Sequence, residues 1–177
     1  MKVKIGSYPN HRWYHNFLYD WFEYSPERKV SVKLDASDTW SMDDTLGHII
    51  LPMLYQLAKT KHGSPIVDIE DVPEHLQGDT DKDENLIHDR WDWVMTEMIW
   101  AFETKINNSD WIQDFCTGEH DFVDVPVLSS KGEIIGYEMT RGAGDTFKMD
   151  HEGIKEYQDR ISNGFKLFGK YYEGLWD

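Results

Sequence analysis

Apolar residues along the chain recur at two spacings, every second position or every third and fourth, and the switches between them mark the elements. Residues 1–5 alternate polar and apolar side chains. So does Lys29-Val30-Ser31-Val32-Lys33-Leu34-Asp35, which sets Val30, Val32 and Leu34 on one face. Alternation predicts half-buried strands. Between them Trp13, Phe17 and Trp21 recur every four residues, predicting a short aromatic helix over 11–24 closed by Ser25-Pro26.

A longer helical pattern follows. Ser41 stands where an N-cap belongs, with Asp44 three residues on at the capping-box position. Leu46, Ile49, Ile50, Met53, Leu54 and Leu57 form an apolar stripe ending near 61–63. Pro52 should kink it, since its ring removes one backbone bond and crowds the preceding turn. Residues 63–85 hold Pro65, Pro73, Gly78 and a cluster of acids, and predict a mobile acidic loop.

From about 83 to 107 a second helix sets Ile87, Trp91, Val94, Met95, Met98, Phe102 and Ile106 on one face, with Trp93 and Trp100 opposite. A helix apolar on two sides is central or is shared with a partner. Residues 125–128 and 133–139, joined through Ser129-Ser130-Lys131-Gly132, predict a β-hairpin. Asp150 should cap a last helix carrying Ile154, Tyr157, Ile161, Phe165, Phe168 and Tyr172. With no internal repeat or linker, the reading is one α+β domain over 1–177, with three main helices, a short aromatic helix and a small antiparallel sheet or hairpin.

Composition narrows the function classes. The chain has 177 residues, 40% hydrophobic and 14% aromatic, with 8 Trp, 9 Tyr and 8 Phe, which is too apolar for a disordered chain despite a net charge of −15. That charge disfavours direct binding to nucleic-acid backbones, which need clustered Lys and Arg. It leaves room for mimicry of nucleic acid, or for a local basic pocket. The single cysteine, Cys116, allows no internal disulfide and suits a reducing cytoplasm. Residues 1–6 lack the apolar core of a secretory leader. The longest apolar stretch, 49–57, is too short to span a bilayer. A soluble protein without a membrane partner is expected.

Several constellations could carry chemistry. Asp44 and His48 share a helix face, as do His88 and Asp92, and together they could hold a divalent metal and activate a water for phosphoester hydrolysis. The structural alternative, which the lack of any HExxH or ExxH pair favours, is a cap at Asp44 and a solvated face at His88 and Asp92. Glu97 lies one turn from Trp93 and nearly one from Trp100, so it faces an aromatic environment that raises a carboxyl pKa unless a cation meets it. Arg90, Arg141, Arg160 and Lys170 are the candidate cations. Arg141-Gly142-Ala143-Gly144-Asp145-Thr146 resembles a phosphate cradle only weakly, lacking the Lys-Ser/Thr ending of a P-loop. Arg160, Asn163, Lys170 and Tyr171 form a basic and aromatic stripe on the last helix, where a phosphorylated or adenine-bearing ligand could stack and pair. Their structural reading is charge balance and core filling. Cys116 has no basic or helix-start context and reads as structural.

Three stretches carry a resemblance: 38–43 (Asp-Thr-Trp-Ser-Met-Asp) running on to 60–63 and 70–73; 90–94 (Arg-Trp-Asp-Trp-Val) to 101–103; and 160–164 (Arg-Ile-Ser-Asn-Gly) to 175–177. They are similar to a recurrent family of tailed-bacteriophage proteins without an established activity. The resemblance implies a setting, a viral protein made in a bacterial host cytoplasm, and carries over no catalytic residue. The expected function is therefore an accessory protein that binds and sequesters a host component. A nucleotide-like small molecule is slightly favoured, held by Trp40, Trp93, Glu97, Trp100, Arg141, Arg160, Asn163, Lys170 and Tyr171 in a homo-oligomer, with no cofactor. A host protein is the close variant; a metal-dependent hydrolase and a structural virion protein are the alternatives.

Overall fold

The computed structural model describes residues 1–6, 13–22, 27–80 and 83–176. The chain is α+β. In order it forms β1 (Lys2–Ile5), α1 (Trp13–Phe22), β2 (Val30–Lys33), α2 (Met42–Thr60), α3 (Asn85–Asn107), β3 (Cys116–Thr117), β4 (Phe122–Leu128), β5 (Ile134–Arg141), β6 (Lys148–Met149) and α4 (His151–Lys170). Among the described residues the strands form three antiparallel pairs, β1–β2, β3–β6 and β4–β5. Two compact units divide the chain, 1–46 and 47–177.

In the first unit β1 and β2 pair from Lys2 opposite Lys33 to Ile5 opposite Val30. The strands are where alternation predicts them, yet Val30, Val32 and Leu34 stay more than half exposed, because a two-stranded ribbon has too few neighbours to bury a face. Asp38 ties the unit together. Its carboxylate accepts from Asp35 N at 2.8 Å and from the Met1 ammonium at 2.9 Å. Phe17 and Trp21 of α1 stand one turn apart, ring centroids 5.7 Å. The predicted stop at Ser25-Pro26 lies outside the described residues.

The second unit is organised around α3. Trp91, Val94, Met95, Met98, Ala101 and Phe102 are buried, as the helical spacing requires, and Leu51 and Leu54 of α2 join them with Leu167 of α4. Ser41 O accepts from Thr45 N at 3.0 Å as α2 begins, and the helix runs on through an exposed Pro52 to Thr60. Asp150 caps α4, its carboxylate accepting from Gly153 N at 3.0 Å. The helices α3 and α4 come close together at Gly164, where a β-carbon would stand 2.5 Å from Ala101 Cβ and 2.7 Å from Glu97 O.

Segment 63–85, expected as a mobile loop, holds two 3-10 turns, Ile69–Asp71 and Glu74–Leu76, and sends Val67 and Val72 into the core. Arg90 holds it from α3, donating to Leu76 O at 2.8 Å and Gly78 O at 2.6 Å. The hairpin β4–β5 turns at Gly132, whose φ of +80° is the left-handed conformation glycine supplies.

Candidate functional site

The aromatic surroundings of Glu97 do hold a cation, and it is Arg160. The carboxylate accepts from Arg160 Nε at 2.9 Å and Nη2 at 2.7 Å, a bidentate fork. Glu97 is buried, while the Arg160 side chain is 49% exposed. Trp100 lies 3.9 Å from the guanidinium carbon, and Tyr157 meets Trp100 edge-on at 5.1 Å. Tyr157 also joins Trp111 and Phe115, so the pair sits beside an aromatic cluster that periodicity alone did not reveal. The hydrogen bonds to Glu97 raise the guanidinium pKa further. Trp93 and Asn163 are half-buried on neighbouring turns of α3 and α4.

Lys170 and Tyr171 form a second, separate cluster. Ten residues of helix put Lys170 roughly 15 Å along α4 from Arg160, so one compact ligand cannot use the stripe as a single site. Lys170 Nζ pairs with Asp68 at 2.7 Å and Asp71 at 2.5 Å. Tyr171 donates to Asp71 at 2.6 Å and accepts from Asp68 N at 2.9 Å. Burial and the bond to Asp71 push the Tyr171 hydroxyl up to about 12. Burial alone would push the Asp71 carboxyl up, but Lys170 and Tyr171 outweigh it and hold it below the usual range. The bonds to Asp68 and Asp71 raise Lys170. Asp68 and Asp71 were missed as partners because they sit in the segment read as a loop. The signal present was Val67 and Val72, two lone valines flanking acids.

The glycine-rich stretch does wrap a carboxylate, its own. Gly144 N donates to Asp121 Oδ2 at 2.9 Å, and a β-carbon at Gly142 would run into that same oxygen. The weak phosphate cradle is thus filled from within the chain. Arg141 Nε lies 3.9 Å from Asp145 Oδ2, and His120 stacks between Phe122 and Phe147. Trp40 belongs to the first unit and is 85% exposed.

Among the described residues no group of three or more His, Cys, Asp and Glu could hold a metal ion. Asp92 is paired with Lys61 at 2.5 Å and His88 Nδ1 with Ser64 Oγ at 2.9 Å, while Asp44 and His48 lie one turn apart on α2. Lys61 and Ser64 thus engage two of the four groups that sequence spacing aligned.

What stays open is the hairpin. Partners across β4–β5 share a face, so Phe122, Pro126, Leu128, Ile134, Tyr137 and Met139 line one side, together with Asp124 and Arg141. Phe122, Leu128, Ile134, Tyr137 and Met139 are each more than half exposed. No helix among the described residues is long and apolar enough to cross a membrane. No protein-family model, curated protein or solved structure matches the chain.

Proposed function

We propose that the protein is a phage accessory factor without catalysis of its own, which occupies a host protein by docking the apolar face of its hairpin. The observation that carries this reading is the row of exposed apolar side chains on β4–β5. A patch of this kind on a charged protein marks an interaction surface. The cations expected to hold a nucleotide-like ligand are engaged by carboxylates of the chain itself, which weighs toward a protein target. The small-molecule reading keeps one supporting observation, the half-exposed guanidinium of Arg160 stacked on Trp100.

Site-specific photocrosslinking in the producing cell tests the proposal. A photoreactive side chain at Phe122 is expected to trap one discrete host protein, and the same group at exposed Gln158 on α4 to trap none. Equal labelling from both positions would overturn it. Native mass spectrometry of the purified chain supplies the second arm: a retained small organic mass would move the assignment to ligand capture.

A further inference from the structure

The ribbon β1–β2 is sharply two-faced. Lys2 stands opposite Lys33 and Lys4 opposite Ser31, and cross-strand partners share a face. One step beyond the ladder Gly6 N donates to Lys29 O at 2.8 Å. A β-carbon at Gly6 would stand 3.9 Å from Lys29 Cβ, so Lys29 continues the same face. Val3, Ile5, Val30 and Val32 fall on the other. Four exposed lysines thus surround the Ser31 hydroxyl. Like charges directly opposed, as at Lys2 and Lys33, destabilise a ribbon. Among the described residues no carboxylate pairs with any of the four lysines. The acids at that end, Asp35 and Asp38, turn instead to the Met1 ammonium, at 4.0 and 2.9 Å.

We propose that this lysine face binds the phosphate backbone of single-stranded nucleic acid, with a base stacked on Trp40. Ammonium and hydroxyl groups are the donors that phosphate oxygens accept from. Two residues of strand rise about 7 Å and neighbouring strands lie about 5 Å apart, so the cations form a regular grid suited to an evenly charged polymer. Trp40 supplies the second element. It is 85% exposed and lies two residues from Asp38, whose carboxylate holds the Met1 ammonium, so its ring stands uncovered near the Lys2–Lys33 end of the ribbon. Cations that track a backbone and an aromatic ring that takes a base are the two parts of a single-strand site.

The net charge that speaks against nucleic acid for the whole chain does not describe this ribbon. Residues 1–34 carry Lys2, Lys4, Arg12, Arg28, Lys29 and Lys33 against Asp20, Glu23 and Glu27, a positive balance within a chain of net charge −15. The acids elsewhere select against a duplex, which presents one phosphate charge per about 1.7 Å of its axis and is repelled more than a single strand. This inference uses the first unit and stands apart from the docking of the hairpin on a host protein.

Fluorescence anisotropy of a labelled oligothymidylate titrated with the full chain tests it, with an oligouridylate in parallel to tell DNA from RNA. Micromolar binding is expected at about 50 mM salt, with log K falling against log salt at a slope of roughly −3 for four phosphate contacts. Lys33→Glu removes a repelling pair and gives Lys2 a partner, so the melting temperature should hold or rise while affinity falls about tenfold or more. A folding defect would lower both. Trp40→Ala should weaken binding about tenfold at an unchanged salt slope. No binding of either oligonucleotide at high micromolar protein would overturn the proposal. So would an affinity indifferent to both variants, or a duplex bound as tightly as the single strand. Polyglutamate bound as tightly as the oligonucleotide would also overturn it and make the face a dock for an acidic protein. A chain that crosslinks one host protein from Phe122 yet binds no oligonucleotide would sink only this inference and leave the docking reading in place.

Discussion

Arg160 grips Glu97 across 63 positions of sequence with two bonds, 2.9 Å from Nε and 2.7 Å from Nη2, and so joins the middle of α4 to the middle of α3. Glu97 is only 6% exposed, so its carboxylate is screened from water and meets this guanidinium instead. Breaking a fully buried pair from one side costs about 3–5 kcal/mol. With the Arg160 side chain 49% exposed, water can replace part of the contact, and a loss of about 2 kcal/mol is the better expectation for Arg160→Leu. Replacing both residues by leucine should recover most of it. Urea midpoints at unchanged m-value measure both; a double variant no better than the single would show that Glu97 is not left stranded.

The same helix pair depends on a missing side chain. At Gly164 a β-carbon would press on Ala101 Cβ at 2.5 Å and on Glu97 O at 2.7 Å. The oxygen belongs to the backbone of α3, which cannot rotate away, so the helices must separate. Gly164→Ala should cost about 1–3 kcal/mol, the range for overpacked cores, even though alanine favours helix. Adding Ala101→Gly should not rescue it, because the contact with Glu97 O remains. Thermal melting of the two variants decides this, and a stabilised Gly164→Ala would contradict the close approach.

The long-period patterns of the chain were readable because each is an average over many residues. The stripe Trp91, Val94, Met98 and Phe102 had to be one buried face, and Asp150 before a helical run had to cap it. The hairpin was equally plain from the turn at Gly132. The Glu97 site was half legible: aromatic neighbours called for a cation, but four candidates fitted, and only folding brings Arg160 rather than Arg90 to the carboxylate. Segment 63–80 was opaque because its core contribution comes from two isolated valines with no period to sum over. The tie from Lys170 to Asp68 and Asp71 joins positions about a hundred apart, which spacing cannot encode. Helical spacing likewise aligned His88 with Asp92 but says nothing of which neighbours claim them, which are Ser64 and Lys61.

Stability should fall at both ends of the pH scale through one cluster. Asp71 is held below its ordinary range in the fold, so its contribution is present above about pH 4 and is lost as pH drops through its folded value. Tyr171 is pushed up to about 12, so its contribution is complete below about pH 10 and fades as pH rises toward 12. Lys170, also raised, acts in the same direction on the alkaline side. Tyr171→Phe should cost about 1–2 kcal/mol at pH 7 for two lost hydrogen bonds, and should flatten the decline between pH 10 and 12. Chemical denaturation across pH for wild type and variant makes the comparison. An unchanged alkaline slope would remove Tyr171 from the account.

The loop at Gly142 makes the last prediction, because it separates a self-filled cradle from an anion site. Asp121 Oδ2 accepts from Gly144 N at 2.9 Å, and Asp121 O accepts from Gly142 N at 2.7 Å, so the residue satisfies the loop with both its side chain and its backbone. Inorganic phosphate should then leave the Gly144 amide resonance unmoved, since a carboxylate already occupies it and would repel a second anion. Gly142→Ala drives a methyl group into that carboxylate and to 2.8 Å from Val123 Cγ2, and should cost about 1–2 kcal/mol through the lost bond. In an Asp121→Ala background the same change should cost much less, because the obstructing carboxylate is gone and neighbouring sites couple. Additive losses would mean that Val123, not Asp121, sets the limit at Gly142. A phosphate-induced shift of Gly144 in the wild type would instead restore the loop as an anion site.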